Sequence, residues 1–71
     1  MEYTRVGNNL KSYRTLAGLT QEEMAKRIGV TRQTVIAMER GNYLPSVLLA
    51  LRSARLFGCS VEDLFHVDEP V

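Results

Sequence analysis

The sequence predicts an all-α fold, a five-helix bundle in one domain spanning residues 1–71. Three observations carry that expectation. Apolar residues recur three or four apart through successive short windows, the period of a helix with one buried face. Gly18, Gly29, Gly41 and Gly58 close those windows, while Thr20, Thr31, Ser46 and Ser60 open them, as helix stops and N-caps do. No internal repeat, low-complexity segment or linker divides the 71 residues, so a single core over about 5–65 is expected.

The first helix is expected from Arg5 to Ala17, with Val6, Leu10, Tyr13 and Leu16 or Ala17 on its buried face and Gly18 as its stop. Thr20 followed by Glu23 is a capping box, which starts the second helix at Gln21 and runs it to Ile28. Thr31 caps a third helix ending near Arg40, before Gly41. Asn42, Tyr43, Leu44 and Pro45 read as a loop, and Ser46 caps a fourth helix that ends at Phe57. Ser60 and Asp63 form a second capping box for a short fifth helix over Val61–Phe65. The tail 66–71 shows no helical pattern and is expected to be extended or disordered.

The stretch Gln21–Glu39 is the most informative. Apolar Met24, Ile28, Val30, Val35 and Met38 fall in the phase of two crossing helices, with small Ala25 at their point of closest approach. Gly29 sits where the turn between them requires positive φ. This is the register of a helix-turn-helix that reads DNA. A helix fits the major groove, where each base pair shows a distinct set of donors, acceptors and methyl groups. With Val35 and Met38 facing the core, Arg32, Gln33, Ile36, Ala37 and Arg40 are left outward or lateral. Gln33 can pair bidentately with adenine; Arg32 can pair with guanine or grip a phosphate. Thr34 can reach a base or a phosphate. Ile36 and Ala37 offer at most apolar contact to thymine methyls, and for Ile36 a merely tolerated surface position competes with that role. Gln21 opens the second helix, where unpaired N–H groups and the helix dipole favour a phosphate.

The run LTQEEMAKRIGVTRQTVIAMERGNYLPS, with the later GCSVEDLF, resembles the Cro/phage-repressor type of helix-turn-helix, often called Xre-like. The resemblance covers roughly Asn9 to Phe65; Leu19-Thr20-Gln21, Glu39-Arg40-Gly41, Pro45-Ser46 and Asp63-Leu64-Phe65 carry it most closely. It implies a five-helix bundle whose third helix enters the major groove, usually as a homodimer on a palindromic operator. By resemblance Gln21, and the loop Asn42-Tyr43 after the third helix, contact phosphates, as Arg40 also can; a half-buried turn tyrosine is the other reading of Tyr43. The resemblance also matches Arg14 to an arginine that pairs with Glu39 at the end of the recognition helix, a structural pair holding that helix at its angle. Many relatives carry polar residues where this chain has Ile36 and Ala37, which leaves direct base readout to few side chains. No second, ligand-sensing domain is expected in 71 residues.

Composition agrees with one small intracellular domain. Net charge is only +1 but uneven. Residues 1–43 carry seven Lys/Arg against four acids, a net of +3, while 44–71 carry two against four, a net of −2. The positive excess lies in the half that holds the reading element. One histidine, His66, and one cysteine, Cys59, exclude an internal disulfide and leave a zinc site unsupported. Cys59 is expected to be a small buried hydrophobe in preference to a redox switch. Nothing supplies an oriented nucleophile and base, so no catalytic residue, cofactor, metal or small-molecule ligand is expected. MEYTRVGNN lacks the apolar run of a signal peptide and no segment reaches membrane-spanning length, so the cytoplasm is the expected location, with no membrane partner.

The expected partners are double-stranded DNA and a second copy of the chain. A small domain has a meagre core, and one recognition helix reads few base pairs. The C-terminal third carries Leu48, Leu64, Phe65 and Val67 as candidate dimer-interface residues, with Leu56 adding to its apolar share. Phe65-His66-Val67-Asp68 alternates apolar and polar, the pattern of a short strand that could pair with its symmetry mate. The alternative function is a protein-interaction module, an antitoxin or adaptor on the same fold. Leu48, Leu49, Leu51 and Leu56 keep it open, since leucines surround more of the fourth helix than one core face needs.

Overall fold

A computed structural model describes residues 5–68; the sequence readings that fall on 1–4, and on Glu69, Pro70 and Val71 of the tail, lie outside the described residues. The order is β1 (Arg5–Asn8), α1 (Leu10–Leu16), α2 (Gln21–Ile28), α3 (Arg32–Glu39), α4 (Val47–Phe57), α5 (Val61–Leu64) and β2 (Phe65–Asp68). All five helices form, with a two-stranded sheet beside them.

The helix starts follow the caps. Thr20 accepts from the Glu23 N–H while the Glu23 carboxylate accepts from the Thr20 N–H, and Ser60 and Asp63 repeat this reciprocal box at α5. Thr31 and Ser46 accept from the N–H groups of Thr34 and Leu49, which fixes the starts of α3 and α4. Gly29 takes φ 79° at the turn between α2 and α3, a left-handed conformation that costs an ordinary L-residue about 1–2 kcal/mol. Its neighbour Ala25 is buried, which lets α2 and α3 cross closely. Leu10, Met24, Ile28, Val35, Met38 and Leu64 make up most of the fully buried volume. Tyr13, Val30, Leu56, Phe57 and Cys59 pack around them half-buried.

Four expectations are corrected here. Residues Arg5–Asn8 are a strand, so the first helix starts at Leu10 instead of Arg5. The Asn8 carboxamide oxygen accepts the Leu10 N–H (3.1 Å), and the Asn9 N–H is spent on the Leu64 carbonyl (2.8 Å), which turns the chain out of the strand. Of Leu16 and Ala17, one of which was expected on the buried face, neither is buried: Leu16 is 87% exposed and Ala17 is exposed as well, because α1 buries Leu10 and half-buries Tyr13 on another side. The tail alternation does produce a strand, but it pairs within its own chain. β2 lies antiparallel to β1 in the register Arg5↔Asp68, Val6↔Val67, Gly7↔His66 and Asn8↔Phe65. His66 lies over Gly7 so closely that a Cβ there would collide with the imidazole. Finally, Leu64 is fully buried in the core of the single chain, and Phe65 begins β2 half-buried against that core. Leu64 therefore has no surface to offer a dimer interface.

Candidate nucleic-acid interface

The outward face of α3 is set by what the helix buries. Val35 and Met38 are sealed in the core, three residues apart on one side. Arg32, Gln33 and Arg40 are consequently exposed, while Thr34, Ile36 and Ala37 lie half-buried at the flanks. The Thr34 hydroxyl is 3.1 Å from that of Thr31, so it is occupied at the cap. Asn42 and Tyr43 are exposed in the loop that follows; the half-buried alternative for Tyr43 does not hold.

The C-terminal end of α3 is anchored from other elements. The Arg14 guanidinium donates to Glu39 through Nε (2.6 Å to Oε2) and Nη2 (3.3 Å to Oε1), and through Nη1 to the Leu19 carbonyl (2.9 Å). The two side chains are 12% and 6% exposed, so this charge pair is largely withdrawn from water. It joins α1, the loop before α2 and the last turn of α3, the structural role expected for Arg14 and Glu39. Nothing in the sequence signals a third partner. The Gln21 amide nitrogen also donates to Glu39 Oε1 (3.1 Å), so the residue expected on a phosphate is held in place by the same carboxylate. From the opposite side, Asn8 of β1 donates to the Met38 carbonyl near the helix end (2.8 Å).

Charge around this face is arranged locally. An open groove beside α3 is lined by Lys11, Gln21, Arg32, Ile36, Glu39 and Arg40. Arg5 of β1 lines the surface near Arg40 and Gly41. At the start of α2 the Thr20 backbone N–H, and then its hydroxyl, hold the Glu23 carboxyl below its ordinary value, with a small contribution from Arg27 and Lys26. Away from this face, burial pushes the Cys59 thiol up, and the charge of Asp63 adds to that, so it stays protonated and packs as a small hydrophobe. The Tyr13 hydroxyl is likewise raised, by burial first and Asp63 second; its ring lies 6.0 Å from Phe57 between centroids.

Known proteins resemble most of this chain. The helix-turn-helix family model matches residues 10–64. An uncharacterised HTH-type transcriptional regulator of Methanocaldococcus jannaschii is 55% identical over 62 residues, covering 87% of this chain and 94% of that protein. One of Bacillus subtilis is 45% identical over 62 residues, with the same two coverages of 87% and 94%. Among solved structures, the restriction-modification controller protein C.AhdI of Aeromonas hydrophila superposes with a TM-score of 0.70 at 31% identity, over 76% of this chain and 82% of that one. A Bacteroides fragilis protein shares the fold, with a TM-score of 0.77 at 18% identity over 86% of this chain and 98% of its own.

Proposed function

The chain belongs to the Xre-like helix-turn-helix family, and from that premise we propose that it is a transcriptional regulator that seats α3 in the DNA major groove and binds a palindromic operator as a homodimer. One observation carries this reading: Arg32 and Gln33 stand exposed at the start of α3, while the other end of that helix is locked to the scaffold by Glu39 and Arg14. A side chain that discriminates bases must be aimed before DNA arrives, since every degree of freedom frozen on binding weakens the complex. In this reading Gln33 and Arg32 contact base edges, Ile36 and Ala37 lie over thymine methyls, and Thr34 stays near the first base step. Gln21, Arg40, Asn42 and Tyr43 grip phosphates and set the register. The DNA partner places the protein inside the cell.

Geometry supports a second copy. Half-sites about 34–36 Å apart need two reading helices fixed to one another. With Leu64 spent on the core, the exposed apolar residues Val47, Leu48 and Leu51 of α4, together with Val67 of β2, are the surface we assign to that contact. The same α4 face favours a second reading, an adaptor or antitoxin whose principal partner is another protein.

Selection of binding sites from a random DNA library, followed by footprinting, tests the proposal. An enriched palindrome with half-sites one helical turn apart is the expected result. A library that stays unenriched after several rounds rules out sequence-specific regulation and leaves the adaptor.

A further inference from the structure

Lys11 is exposed on α1, three residues before Arg14. Its backbone carbonyl accepts the Thr15 hydroxyl (2.7 Å), an ordinary helical contact that leaves the ammonium unconstrained. Two open grooves meet at this residue. One, between α1 and the starts of α2 and α3, is lined by Lys11, Arg14, Thr20, Gln21, Glu22 and Arg32. The other continues along α3 past Ile36 to Arg40, and shares Lys11, Gln21 and Arg32 with the first.

The charges in the joined groove do not cancel. Its cations are Lys11, Arg14, Arg32 and Arg40, and its acids are Glu22 and Glu39. Arg14 and Glu39 neutralise each other at 2.6 Å. That leaves Lys11, Arg32 and Arg40 against Glu22, three positive charges against one negative, a local net of +2 in a chain whose total is +1. A concave surface with low-dielectric walls focuses such a charge outward and concentrates a polyanion beside it. The groove borders the outward face of α3, so an anion in it lies next to whatever that helix reads.

We propose that Lys11 binds a backbone phosphate of the DNA, adding a contact from the first helix to those of α2, α3 and the following loop. The inference rests on the DNA-binding function proposed above. A lysine ammonium is a mobile point charge on a long stem, suited to a phosphate and unable to read a base edge bidentately. Lys11 is also on a different helix from the reading side chains. Its contribution is therefore to affinity and salt dependence, without sequence preference.

The test measures dissociation constants of the full chain for the selected operator and for a random duplex, across a range of salt. Lys11→Ala is expected to weaken both by the same factor, roughly five- to tenfold per protomer at about 0.1 M salt, and to reduce the slope of log K against log salt by roughly 1 per protomer. Lys11→Arg is expected to restore both. A loss confined to the operator would make Lys11 a base reader and overturn the inference. An unchanged salt slope in Lys11→Ala, with the wild-type protein binding normally, overturns it as well. A wild-type chain that binds no DNA at any salt overturns the underlying function, a distinct outcome from either.

Discussion

Single side chains divide between those that read and those that hold. Gln33 is exposed on the first turn of α3, and its replacement by alanine should remove a bidentate base contact while leaving phosphate contacts intact. Operator affinity is expected to fall by about 1–3 kcal/mol, with affinity for random duplex almost unchanged, by fluorescence anisotropy. An equal loss on both would make Gln33 a phosphate contact. Glu39 belongs to the second class. It accepts from Arg14 and Gln21 while nearly buried, so Glu39→Ala leaves a guanidinium withdrawn from water without its counterion. The cost should be about 3 kcal/mol in a urea melt. Replacing both partners together, Arg14→Met with Glu39→Met, should cost less than Glu39→Ala alone, because no unpaired charge remains. If the double variant is the weaker of the two, the pair contributes more than it costs to bury. Arg14 and Glu39 were legible only through family resemblance, and the Gln21 contact was not legible at all, since nothing in spacing brings residues 18 apart in sequence to 3.1 Å.

Elements were legible wherever their signals are local. Each cap read from a Ser or Thr is present, and the bounds of α2 and α4 coincide with the expected ones, because a cap and a glycine stop act within a few residues. The capping box at α2 also carries a testable titration. Glu23 is held below its ordinary value of 4.5, so its folded form favours the charged state. The stabilisation it supplies is complete above the ordinary value and is lost as pH falls through the lowered one. Glu23→Ala should therefore melt below the wild type at neutral pH, with the gap closing steadily as the solution is acidified. A gap independent of pH would mean that the carboxylate charge plays no part. The start of α1 departs from its expected position for the opposite reason. Val6, Leu10 and Tyr13 keep helical spacing, and what makes Arg5–Asn8 a strand is pairing with Phe65–Asp68 at the far end of the sequence. No local pattern reports such a partner. The burial of Leu64 is equally illegible in a local pattern, since it depends on where α5 docks.

For the molecule as a whole, the apolar face of α4 is the feature that a lone copy leaves unsatisfied. Leu48 and Leu51 remain 56% and 54% exposed. Replacing both with glutamate touches no buried group, so helicity should persist while self-association fails. Light scattering at micromolar concentration is expected to give twice the chain mass for the wild type and a single chain for this variant, with operator affinity reduced. A wild type that stays monomeric, and binds one half-site as well as two, ends the homodimer proposal. The β1–β2 pairing has a consequence of a different kind, in the order of events during folding. The helical core is built largely from neighbouring segments, whereas Arg5 and Asp68 must meet across almost the full chain. Closing so long a loop is entropically unfavourable until the intervening chain is compact, so the sheet should form after the rate-limiting barrier. Val6→Ala, which removes one side of the Val6–Val67 pair, is then expected to speed unfolding while leaving the refolding rate almost unchanged. Stopped-flow kinetics across a urea series decides this. Slower refolding by the full stability loss would mean that the two ends of the domain find each other first, and that the helices assemble on a closed ring.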